Sequence, residues 1–239
     1  MLGPDLLERI VVQTDGVPLF IEELTKAVLD TSTDHNGTAL SLAVPSTLQA
    51  SLMARLDRLS EARQVAQIGA VIGREFSHAL LMAAALLPAT QLERGLGELV
   101  ASGLAVRRGA PPDAVYTFNH ALTRDVAYTS LLKGRCQIYH QRIATILEEF
   151  DDGFVRATEP ELLAYHYQQA GDFSAALVHW IAAGDLAEQR GANAEAIAHY
   201  QSAKALTENA ALPAADRARA AEVLLKLGNA QWQTAGYRA

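Results

Sequence analysis

Residues able to do chemistry are sparse in this chain of 239 residues, and their spacings exclude more than they admit. Phosphate transfer by a P-loop needs Gly-x-x-x-x-Gly-Lys-Ser/Thr, because backbone N–H groups cradle the phosphates and the lysine neutralises charge. The lysines are Lys26, Lys133, Lys204 and Lys226; none follows a glycine and none precedes Ser or Thr. The acids Glu148, Glu149, Asp151 and Asp152 have no apolar strand before them, so they do not form a Walker B element and read as a solvated helix end. Tyr139–His140, and His166 with Glu161, miss the His-Glu-x-x-His spacing of a zinc protease. His166, His179 and His199 fall in helical stretches, where a structural imidazole is expected. Gly-x-Ser-x-Gly is absent. Cys136 is the single cysteine, which excludes an intrachain disulfide and a cysteine zinc site. The chain is therefore expected to catalyse nothing and to hold no metal or cofactor of its own.

Two short stretches keep chemical interest. In "DGVPLFIEEL", Gly16 can close one helix in a left-handed conformation and Pro18 can open the next. Glu22 and Glu23 then lie near the positive end of the new helix dipole, with Phe20, Leu24 and Val28 on one face. In "FNHALTRDVAYTSLL", Asn119 is expected to cap a helix, which places His120 beside free backbone N–H groups where an imidazole can donate to an anion. Both stretches also have plainer readings: a junction between two helices for the first, and a histidine at a strand end bonded to backbone for the second.

The elements around these residues can be read from periodicity. Asp30 to Ala43 is polar and aperiodic, a linker. After Pro45, Ser46 is expected to cap a helix to about Leu59 with Leu48, Leu52 and Leu56 on one face; further helices follow at about 61–72, from Ser77 to Pro88, and from Thr90 to Ser102, with Gly103 as a stop signal. "LAVRR" and "VYTFNH" flank "GAPPDA" as a hairpin. Helices, a hairpin, then helices at about 121–132 and 135–150 give the order of a winged helix. "DDGFVRATEP" marks a second boundary. Beyond it "GDFSAALVHW" and "GANAEAIAHY" share a pattern in which glycine precedes alanine by five and an aromatic by nine: Gly171, Ala176, Trp180, and Gly191, Ala196, Tyr200. Leu224, Leu227 and Gly228 have the spacing of a tetratricopeptide first helix, whose apolar face a partner helix would cover. The expected fold is mostly α: a winged-helix domain with a small β-hairpin over 45–150, then a tetratricopeptide-like α-solenoid over 151–239 that is incomplete at its C-terminus.

Composition agrees. Half the residues are hydrophobic and 20% are charged, a globular balance. The net charge of −7 gives no general attraction for a polyanion. Asp5 and Glu8 stand where an export signal would carry Lys or Arg, and the longest apolar run, Ala79 to Leu87, is too short to span a bilayer. A cytoplasmic protein without a membrane partner is expected.

Three segments in this order resemble one family. "DGVPLFIEEL" looks like the Gly-x-Pro segment that closes the ATPase module of bacterial STAND-type signalling ATPases. "VPSTLQASLMARLDRLSEARQVAQIGAVIGREF" looks like the start of the winged helix that follows there, and "FNHALTRDVAYTSLL" like its end; helical repeats come next in such proteins too. The closest texture is that of regulators in which the ATPase and repeats stand behind a nucleotide cyclase or transcription-factor domain. The resemblance implies that residues 1–30 are the remnant of an ATPase lid, joined by the linker 31–44. It implies that Pro18 would pack on an adenine, with Gly16 shaping the turn, and that His120 would touch the β-phosphate of ADP. These would be nucleotide contacts only within a complete ATPase module, so ATP or ADP is implied for the longer relative and not for this fragment. Val17 stands where the family has Asn, and Asn119 and Ala121 stand where it has Met and Asp.

The implied function is a non-catalytic relay: nucleotide state sets how the winged helix packs on the missing ATPase core, and a protein partner or ligand on the repeats at 159–239 biases that equilibrium. The alternative is a DNA-binding winged helix with a repeat sensor, for which Arg107, Arg108, Arg124, Lys133, Arg135 and Arg142 make a locally basic stretch. The hairpin loop "GAPPDA" carries no cation, however, and the reading helix offers Arg94 against Glu93 and Glu98, so nucleic acid is not the expected partner.

Overall fold

The structure is a computed structural model describing residues 48–149, 159–208 and 212–236. Gly16, Pro18, the linker 31–44 and the cap expected at Ser46 lie outside them. The described chain is mostly helical with one small sheet, and it divides into two compact units. The first comprises residues up to 82 together with 86–131, the second 83–85 with residues from 132 onward.

In the first unit, α1 (Leu48–Arg58) and α2 (Ser60–Ile72) lead into β1 (Glu75–Ser77), α3 (His78–Ala84) and α4 (Ala89–Ala101). After these come β2 (Ala105–Arg108), β3 (Val115–Phe118) and α5 (Ala121–Thr129). The helices obey the apolar spacing of the sequence: Leu52 and Leu56 on α1, Val65 and Ile68 on α2, and Leu92, Leu96 and Leu99 on α4 are all buried. The hairpin is present, but the sheet has a third strand, ordered β1-β3-β2 and antiparallel throughout. The sequence offers only "EFS" for this strand, too short for a period to show. It forms because Phe76 lies opposite Tyr116 and stacks on it, with ring centroids 5.6 Å apart, and meets Phe118 at 5.5 Å. Ser77 ends the strand and also starts α3, its Oγ accepting from the Leu80 N–H at 3.1 Å. That helix stops at Ala84 rather than at Pro88.

The second unit contains α6 (Lys133–Glu149), α7 (Pro160–Ala170), α8 (Phe173–Gln189), α9 (Asn193–Thr207), the single turn α10 (Ala214–Arg217) and α11 (Ala220–Gly236). The long helices pack in series: α6 on α7, α7 on α8, α8 on α9, α9 on α11. Gly171 and Gly191 turn the chain between helices at φ of 91° and 73°, which a side chain disfavours. Ala176, Ala196 and Tyr200 are fully buried. Tyr200 fits because Gly184 faces it: a Cβ there would sit 2.8 Å from the ring's Cζ. The compact units divide at 131/132, before α6, whereas the boundary read from the sequence is at 151–160. The buried face of α6, with Tyr139, His140, Ile143, Ala144 and Leu147, joins it to the helices that follow.

Candidate functional site

His120 follows β3 directly. Its extended backbone (φ −130°, ψ 139°) makes it the N-cap of α5, and its carbonyl accepts from the Thr123 N–H at 3.0 Å. Asn119 does not cap that helix, contrary to expectation. Its Nδ2 donates to the Gly103 carbonyl and its N–H to the Leu104 carbonyl, so it ties β3 to the end of α4 instead. The cap position has passed to a residue whose ring makes no capping bond. The His120 ring is half-buried and forms no hydrogen bond among the described residues. The structure thus places an imidazole beside the first N–H groups of a helix, a geometry that suits an anion. Gly16 and Pro18 lie outside the described residues, so of the three nucleotide-contact positions implied by resemblance only His120 is placed.

Three cations of the locally basic stretch, Arg108, Arg124 and Arg142, are engaged by neighbouring backbone and side chains. In the first unit Arg124 donates to the Ala70 carbonyl at 3.1 Å, pairs with Asp125 and covers the Tyr128 ring. Arg108 bonds Glu75 at 3.0 Å, and the same carboxylate accepts from Thr117. Arg94 on α4 pairs with Glu61 at 3.1 Å. In the second unit Arg142 donates to the carbonyls of Ala83 and Ala84. These guanidinium groups brace helix ends and strands, while Arg107, Lys133 and Arg135 of the same stretch are exposed.

The second unit holds two arrangements that sequence reading missed. On α6 and α7, His140 Nδ1 and His166 Nδ1 are 2.8 Å apart, and both residues are buried. One ring must therefore carry its proton on Nδ1 and the other on Nε2. Burial, and then the neighbouring His140, hold the His166 imidazole down at about 3. Beside the pair, Tyr167 donates to Glu148, and burial and that carboxylate push its phenol well up. His179 stacks on Tyr167.

The other arrangement is a groove of about 490 Å³ along α7, α8 and α9. Its apolar surface is Leu162, Tyr165, Trp180 and Ala198. Trp180 and His199 stack with centroids 5.6 Å apart and planes 25° apart, and the Trp180 indole N–H is taken by Gln168 Oε1 at 2.9 Å. The back of Tyr165 meets both rings of the histidine pair edge-on. Glu159, Glu161 and Ser202 complete the lining, which among the described residues contains no Lys or Arg. Trp180 and His199 stand 19 residues apart on α8 and α9 and are both half-buried; helical spacing does not show that they meet.

Among the described residues no three His, Cys, Asp or Glu side chains are grouped to hold a metal ion, and no helix is long and apolar enough to cross a membrane. No family model matches the chain. It is 31% identical over 201 residues to an uncharacterised protein of Rhizobium meliloti (strain 1021); the match takes in 82% of this chain and 19% of that protein. The chain thus spans about a fifth of the length of the relative it matches.

Proposed function

We propose that this chain is a non-catalytic regulatory segment of a STAND-type signalling ATPase, with a winged helix that relays nucleotide state and tetratricopeptide-like repeats that bind a protein partner. The observation that carries the reading is the element order of the first unit: α2, β1, α3, α4, β2, β3, with strands arranged β1-β3-β2. That order, third strand included, supports a winged-helix reading. His120 follows β3 at a helix N-terminus, its ring without a hydrogen bond among the described residues, which suits contact with a nucleotide phosphate held by an ATPase core. The serial packing of α6 to α11 supports a repeat array. A relative of which the match takes in 19% is consistent with a segment of a multidomain regulator. A cytoplasmic setting and no membrane partner go with this reading. The ion-paired Arg94 and the acids beside it on α4 leave the candidate reading helix without a cationic face, so nucleic acid is not the proposed partner.

The test has two halves. Titration of the 239-residue chain with ADP and ATP in a calorimeter is expected to give no binding, because Pro18 and His120 would be two walls without a phosphate cradle. Micromolar binding lost in His120→Ala would refute the fragment reading. In the longer protein carrying the ATPase core, His120→Ala is expected to speed ADP release about tenfold, the worth of one hydrogen bond to a charged group. Unchanged release would refute the role given to His120.

A further inference from the structure

We infer that the groove along α7, α8 and α9 binds an arginine-bearing peptide segment of a partner protein. Three features of its lining select that chemistry. The stacked Trp180 and His199 rings, with Tyr165 beside them, offer flat faces on which a guanidinium plane can lie. Glu159 and Glu161 stand at one end, at the start of α7, and neither forms an ion pair among the described residues. Among the described residues the same lining holds no Lys or Arg, so the two carboxylates disfavour an anionic ligand. Leu162 and Ala198 add an apolar surface that suits the residues flanking the arginine. A peptide fits better than a free small cation because Tyr165, Glu159 and Ala198 are exposed: the groove is open along its length rather than closed around a guest.

The rings are held before any ligand arrives. Trp180 is fixed by its bond to Gln168, and Tyr165 rests on the buried histidine pair. Little side-chain freedom is then lost on binding. This site deepens the partner-binding role proposed for the repeats and needs no nucleotide, so its failure would leave the His120 result untouched.

The experiment uses the full 239-residue chain with Trp232→Phe, which leaves Trp180 as the sole tryptophan. Trp180 fluorescence is titrated with three capped pentapeptides identical except for a central arginine, glutamate or leucine, and with acetyl-arginine amide. Saturable quenching by the arginine peptide is expected, at least about tenfold tighter than by the other two peptides or by the amide. Glu159→Gln with Glu161→Gln is expected to weaken it about tenfold while the circular dichroism and melting curve stay unchanged. Equal binding of the leucine or glutamate peptide, or indifference to the two substitutions, would overturn the inference. Acetyl-arginine amide binding as tightly as the peptide would overturn the assignment to a peptide.

Discussion

Acid should destabilise the second unit at a pH where its carboxylates are still ionised, and the His140–His166 pair sets the size of the effect. The His166 imidazole has a folded value of about 3 against an ordinary 6.5. A base whose folded value is depressed binds its proton more readily in the unfolded chain. Its contribution to stability is therefore complete above about pH 6.5 and is lost progressively as pH falls toward 3. From pH 7.5 to 5.0 the chain crosses roughly 1.5 units below 6.5, and at about 1.4 kcal/mol per unit the loss is about 2 kcal/mol. Asp and Glu titrate in unfolded chains near 4, so they add little in this window. Both tryptophans, Trp180 and Trp232, lie in the second unit, so intrinsic fluorescence follows that unit. Urea unfolding at the two pH values should show the midpoint falling by about 1 M, given a slope of about 2 kcal/mol per molar. The double variant His140→Leu/His166→Leu should lose less than about 0.5 kcal/mol over the same window, whatever its stability at pH 7.5. His166→Asn, which keeps a polar atom near the Nδ1 position, serves as a second comparison. A wild-type midpoint that does not move, or a loss of equal size in all three proteins, would refute the argument.

Other expectations follow from packing. Gly184→Ala should destabilise the second unit by about 1–3 kcal/mol, because a Cβ there meets the buried Tyr200 ring; the same urea assay reads it. Tyr200→Phe removes a hydroxyl bonded to Asp185 at 2.7 Å and Glu188 at 3.2 Å and should cost about 1–2 kcal/mol, measured by thermal unfolding. Leu96→Ala should cost about 2–5 kcal/mol in the first unit, where the side chain is 2% exposed, and amide exchange across α2 and α4 should show it. Trp232, 77% exposed, should tolerate substitution by Phe within about 0.5 kcal/mol, seen as an unchanged melting temperature.

By itself the sequence determined the helices and most turns. Local rules govern these: Leu52 and Leu56 repeat at four residues, Gly171 and Gly191 stop helices, and Ala105–Arg108 pairs with Val115–Phe118 across a short loop. The missing P-loop was equally legible, since that motif is a local spacing. The tertiary structure decided what depends on residues distant in sequence meeting in space. Strand β1 exists because Phe76 finds Tyr116, 40 positions away, and three residues carry no period of their own. Asn119 left the cap because the Gly103 carbonyl lay within reach, a competitor that helix-start rules do not see. Arg124 and Arg142 reach backbone carbonyls, and Arg94 a carboxylate, that no count of charge reveals. The histidine pair spans 26 residues and the Trp180–His199 stack bridges two helices. An imidazole's role is set by what surrounds it, so helical spacing could mark His166, His179 and His199 as structural without showing which rings would touch.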